Sequence, residues 1–172
     1  MMIDKKYIKL FAKTTQMAAY GASLYIGKND KISADRAAVD LMRNELNKIN
    51  MKGRIVIGEG ELDEAPMLYI GENVGNNIGD EFDIAVDPVE GTNFVAKNLP
   101  NSISVLAVSK KGELFHAPET YMDKIAIGPD LPDNLIDLDN NLKKNIENLA
   151  KAKNKKISEL TVCLLDRPRH DK

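Results

Sequence analysis

The chain has 172 residues, 43% of them hydrophobic, enough for one substantial core, and the expectation is a single domain over residues 1–172. Its 24 Lys and Arg stand against 26 Asp and Glu, a net charge of -2 with no long basic run, which argues against nucleic acid as a partner. No apolar stretch approaches the ~20 residues that cross a bilayer, the first residues lack a signal peptide's apolar core, and the lone Cys163 offers no disulfide framework, so a reducing cytoplasm is the expected compartment.

In chain order, Ile8, Phe11, Thr15, Ala18, Ala22 and Tyr25 recur at helical spacing and predict an amphipathic helix stopping near Gly27. A polar connection over 27–31 leads to Ser33-Ala-Asp35. Ala38, Met42, Leu46 and Ile49 then form one face of a second helix, with Ser33 or Asp35 at its cap. The β-branched run 54–57 predicts a strand ending in Gly58-Glu-Gly60, and 82–86 predicts another ending at Asp87-Pro88. Segments 102–108 and 113–116 flank Lys110-Lys-Gly112 and suggest a hairpin. A loop over 128–132 precedes a helix over 138–152, and 160–165 reads as a buried strand in which Cys163 is a small hydrophobe. Helices mixed with hairpin-linked strands argue for a layered α/β domain.

Chemistry gathers between residues 59 and 90. Glu59, Glu61, Asp63, Glu64, Asp83, Asp87 and Glu90 sit among glycines, prolines and strand ends, not along one helix face. Carboxylates on several loops can converge on a hard cation, and an all-oxygen set without a His or Cys pattern favours magnesium or manganese over zinc. The most informative segment is Asp87-Pro-Val-Glu-Gly-Thr92. Pro88 holds Asp87 extended, so that its carboxylate projects from the strand end. Glu90 brings a second carboxylate across a tight turn. Gly91 allows close backbone approach to a ligand, and the amides of Gly91, Thr92 and Asn93 at a helix start suit an anionic oxygen. The Thr92 hydroxyl can orient water or touch phosphate. Such a set meets the needs of phosphate-ester hydrolysis by metal-activated water. Rival phosphate chemistries find less support: the chain has no Gly-x-x-x-x-Gly-Lys-Ser/Thr loop, and Cys163 lacks the loop setting of a nucleophile. Asp83 and Asp87 do not have the Asp-x-Asp spacing of phosphoaspartyl enzymes.

The run IVIGEGELDEAPMLYIGE over 55–72, followed by DIAVDPVEGTN over 83–93, closely resembles class II fructose-1,6-bisphosphatases. KISAD over 31–35, APETYM over 117–122 and RPRH over 167–170 match in the same order, so the resemblance covers nearly the whole chain. It implies the lithium-sensitive phosphatase superfamily and its layered α/β sugar-phosphatase fold, of the inositol monophosphatase type. It also implies removal of the 1-phosphate of fructose 1,6-bisphosphate in gluconeogenesis, extending in some members to sedoheptulose 1,7-bisphosphate. By the same resemblance Asp35 and Glu59 would ligate one Mg2+ or Mn2+, and Asp87 and Glu90 another, beside the Val89 carbonyl. Glu90, Gly91 and Thr92 would touch substrate. Thr92 would help orient the attacking water with Asp63 as its acidic partner, and Lys31 would lie near the reacting phosphate. Tyr121, Arg167, Pro168 and Arg169 would hold the sugar phosphate, the two arginines through charge-assisted bonds. Position 167 carries Arg where relatives often have Lys, which keeps the charge and changes the hydrogen-bond geometry.

Family chains are roughly twice as long, and their second half supplies another acidic ligand and an Asp-Gly-Asp segment. The expectation is therefore a truncated fold, an N-terminal half of low activity on its own, which self-associates or is completed by a separate C-terminal half. Two alternatives stay open. One is another phosphomonoesterase of the superfamily, acting on inositol or nucleotide phosphates. The other is an inactive fragment that binds metal or sugar phosphate.

Overall fold

The computed structural model describes residues 3–58, 67–116 and 122–164. Contacts divide the chain into two units, Met1–Ala117 and Pro118–Lys172, each described here by itself.

The first unit opens with helices α1, Lys6–Ser23, and α2, Lys31–Leu46, which pack closely on one another. Tyr7, Phe11, Ala18 and Ala22 of α1 and Ala34, Ala38, Val39, Met42 and Leu46 of α2 are buried, so the 3.6-residue period read from sequence is the buried stripe. Strands β1, Met51–Ile57, β2, Asn73–Val74, β3, Asp80–Glu90, and β4, Ile103–Lys110, form a sheet in the order β2-β1-β3-β4. β1 and β3 run parallel, while β2 and β4 flank them antiparallel. Met51 and Ile55 of β1, with Phe82, Ile84 and Val86 of β3, fill the core, and Leu106 and Val108 of β4 pack against it. Lys52 and Arg54 alternate outward, as period two requires. Tyr7 fastens the start of α1 to the sheet. Its ring meets that of Phe82 edge-on at 4.8 Å, and its hydroxyl donates to Asp80 Oδ2 at 2.8 Å. A short helix α3, Thr92–Ala96, follows β3 directly.

Several expectations need correction. Helix α2 begins at Lys31, capped by Asp30, whose carboxylate accepts from the Ser33 amide at 3.0 Å; Asp35 therefore lies inside the helix, not at its cap. Strand β3 does not end at Asp87-Pro88 but runs on to Glu90. The hairpin partner of β4 is β3, and 113–116 forms no strand. There the buried Asp83 carboxylate accepts from the amides of Gly112 at 2.6 Å and Leu114 at 3.4 Å, which turns the chain and removes those donors from any ladder.

In the second unit, helix α4 spans Leu142–Ala152, starting four residues later than its apolar pattern suggests. Asn141 caps it by accepting from the Lys144 amide at 2.8 Å. The buried Asn145 side chain donates to the Asp137 carbonyl and accepts from the Asp137 amide, holding the preceding residues in turns. A single 3-10 turn, Ile157–Glu159, follows. Residues 160–164 form no strand, Val162 and Leu164 are 67% and 62% exposed, and Cys163 is exposed, so the buried-strand reading of this stretch fails.

Candidate active site

The site grows from an irregularity in β3. Asp87 pairs with Val105 and Glu90 with Ile103, so three steps along β3 face two along β4 and one residue is extra. The surplus falls at Pro88-Val89, and both residues are buried. A bulge is where proline is tolerated in a strand, because its missing N–H removes no ladder bond. Strand β4 and the residue before it support the distorted backbone with hydroxyls: Ser104 Oγ donates to the Pro88 carbonyl at 2.7 Å, and Ser102 Oγ to the Glu90 carbonyl at 2.9 Å. Asp87 Oδ1 accepts from the Val89 amide at 3.0 Å, an Asx-type turn across the bulge. Gly91 then takes the left-handed conformation, φ 81°, and starts α3. A Cβ there would also sit 3.0 Å from the Phe94 ring, a tight contact that adds to the strain of the left-handed backbone.

This geometry sets the carboxyl of Asp87 beside that of Glu90. The Asp87 carboxyl is half-buried and pushed up to about 6, first by desolvation, then by the hydrogen bond and like charge of Glu90, with a smaller repulsion from Asp35; the Val89 amide works in the opposite sense. Asp35, half-buried one turn into α2, is raised by desolvation. Helix and strand thus bring Asp35 within electrostatic reach of Asp87, although 52 positions separate them in sequence. Lys31 is exposed, one helical turn before Asp35. Thr92 is half-buried at the first position of α3, and Glu90 is exposed.

Glu59, Asp63, Tyr121, Arg167, Pro168 and Arg169 lie outside the described residues. Asp83, one of the clustered acids, turns out to hold a loop. Sequence reading passed over the serines of β4, whose role depends on strand register. It also passed over the Arg43–Glu72 pair, whose members lie 29 positions apart on different elements.

The donor set suits a hard divalent cation in kind. Among the described residues no Lys or Arg forms an ion pair with Asp35, Asp87 or Glu90. Also among the described residues, no three acidic, His or Cys side chains close on one point tightly enough to hold a metal ion.

The fold is mixed α/β, and two acidic side chains, Asp87 and Glu90, stand at the end of the interior strand β3. Residues 5–172 match the family model for bacterial fructose-1,6-bisphosphatase, glpX-encoded, and the chain belongs to that family. It is 51% identical over 161 residues to fructose-1,6-bisphosphatase 1 class 2 of Escherichia coli strain K12 and to fructose-1,6-bisphosphatase class 2 of Shigella flexneri. Identity to fructose-1,6-bisphosphatase class 2 of Haemophilus influenzae is 47% over 161 residues. Each comparison takes in 94% of this chain and 48% of the relative, so the chain spans about half the length of the curated relatives it matches.

Proposed function

We propose that this chain forms the metal- and phosphate-binding portion of a cytoplasmic fructose-1,6-bisphosphatase with the layered inositol monophosphatase-like fold. It would hydrolyse the 1-phosphate of fructose 1,6-bisphosphate to give fructose 6-phosphate. The observation that carries the reading is the Asp87–Glu90 carboxyl pair at the bulge of β3, within electrostatic reach of Asp35 on α2. These three, with Glu59, would hold Mg2+ or Mn2+. A bound cation supplies a Lewis acid for the phosphoryl oxygens and lowers the pKa of the attacking water.

The remaining work falls to the chain. Thr92, fixed at the first position of α3, orients the water through its hydroxyl, with Asp63 as the acidic partner. The left-handed turn at Gly91 presents backbone to the phosphoryl oxygens. Lys31 lies on the first turn of the helix that carries Asp35 and offsets phosphate charge. Tyr121, Arg167, Pro168 and Arg169 hold the sugar phosphate. Sedoheptulose 1,7-bisphosphate, an analogous ketose bisphosphate, is a second substrate candidate.

The test is phosphate release from fructose 1,6-bisphosphate with Mn2+, by this chain alone and with the remaining half of a relative supplied separately. Release in either arm, lost on Asp87→Asn, supports the reading. Faster release from an inositol or nucleotide phosphate in both arms would move the substrate assignment to the wider superfamily.

A further inference from the structure

Helix α3, with Thr92 at its first position, has only five residues, too few to hold a helix on their own, so its direction depends on what grips its two ends. The bulge of β3 and Gly91 grip the first end. At the other end, the turn between α1 and α2 supplies two donors. The Gly27 amide donates to the Val95 carbonyl at 3.0 Å, and the Asn29 amide to the Ala96 carbonyl at 2.8 Å. Val95 and Ala96 are the last two residues of α3, where carbonyls run out of partners within the helix.

The same turn launches α2. Asp30, next to Asn29, caps that helix by accepting from the Ser33 amide, Lys31 opens it, and Asp35 lies six residues beyond Asn29. One short turn is therefore bonded to the end of α3 and continuous with the start of α2. Helices α2 and α3 also pack on one another directly. The turn ties the helix of Asp35 to the element that the Asp87–Glu90 bulge leads into.

This clamp depends on the backbone of Asn29, whose φ of 55° lies in the left-handed region. Asparagine and glycine adopt that conformation far more readily than a β-branched residue does. The Asn29 side chain is exposed and makes no hydrogen bond among the described residues, so what the residue contributes is its conformation.

We propose that Asn29 is a positioning residue for cation binding: its left-handed backbone seats the turn on the end of α3 and so fixes Asp35 relative to the Asp87–Glu90 pair. The inference rests on the reading of these three acids as cation ligands. Asn29 itself supplies no ligand and acts through the two elements it joins.

Mn2+ affinity, read by calorimetric titration in the unsubstituted chain, Asn29→Gly, Asn29→Ala and Asn29→Val, tests this. Each is measured well below its melting temperature, which is recorded alongside, and Asp87→Asn is the control that locates the ion. Partners that orient metal ligands are worth about 10- to 100-fold in metal affinity. Asn29→Val is expected to lose affinity in that range and Asn29→Ala to lose less, while Asn29→Gly, which keeps the left-handed turn, binds as the unsubstituted chain does. A lowered melting temperature with unchanged Mn2+ affinity in the Val and Ala variants makes the turn purely structural and overturns the inference. So does a loss in Asn29→Gly as large as in Asn29→Val, which would transfer the role to the side chain. Should Asn29→Val fail to fold, Asn29→Ala decides by the same criterion. No Mn2+ uptake by the unsubstituted chain, or uptake that Asp87→Asn leaves unchanged, overturns the ligand reading and this inference with it, a result distinct from indifferent Asn29 variants.

Discussion

Across the bulge that ends β3, the carboxyl of Asp87 lies beside that of Glu90 while its Oδ1 accepts from the Val89 amide. One oxygen therefore organises the local backbone, and the acid as a whole carries a charge that its surroundings disfavour. Asparagine keeps the first property and removes the second, and the two can be separated by experiment.

In the metal-free protein, Asp87 titrates at about 6 when folded against 3.8 for the ordinary group, so the folded state holds its proton over that interval. The stability from this group is present below 3.8 and lost as pH rises through about 6. Thermal melts in EDTA should show Asp87→Asn gaining on the unsubstituted protein as pH rises through this window, then holding a constant advantage. With Mn2+ added the order should reverse, because the variant lacks the charged ligand. A difference that does not change with pH would mean that the Asp87 carboxyl is not raised.

Thr92→Ala should bind Mn2+ as well as the unsubstituted protein and slow phosphate release on the order of 100-fold, the scale of a misplaced reactant. The comparison belongs in a protein of the relatives' full length built on this chain. Equal losses of metal affinity and turnover would shift Thr92 from orienting water to shaping the cation site.

Gly91→Ala places a Cβ at positive φ and against Phe94, and should cost about 1–2 kcal/mol for the backbone alone. Urea denaturation reads this as a lower midpoint with unchanged slope. Gly91→Ala combined with Phe94→Ala should recover the part of the loss that exceeds backbone strain.

Cys163 is exposed on a stretch with no regular structure, so a thiol reagent should label it in the native protein about as fast as in urea. Protection under native conditions would restore the buried-strand reading of 160–165.

Much of the first unit was legible because its elements obey simple periods: Ala38, Met42 and Leu46 mark a helix face, and the β-branched 54–57 a strand. The errors arose where side chains redirect the backbone. Asp30 caps α2 three residues before Ser33, the earlier of the two expected caps, and Asp-Pro reads as a stop although a bulge carries β3 through it. Segment 113–116 has a strand's composition, but Asp83 captures the amides of Gly112, just before it, and of Leu114. Residues 160–164 carry a run of apolar side chains with no partner strand among the described residues. For the site, spacing and motif singled out Asp87, Glu90 and Gly91, whereas contacts made only by tertiary packing, such as Arg43 with Glu72, leave no local trace.

The close approach of Gly58 to the Leu68 carbonyl, whose oxygen would lie 2.2 Å from a Cβ at position 58, has a consequence for how this region can change over evolutionary time. A side chain at position 58 would press on backbone and not on the tip of a flexible neighbour, so no exchange of a nearby side chain makes room for it. Glycine at 58 should therefore persist through changes that freely alter the residues around it.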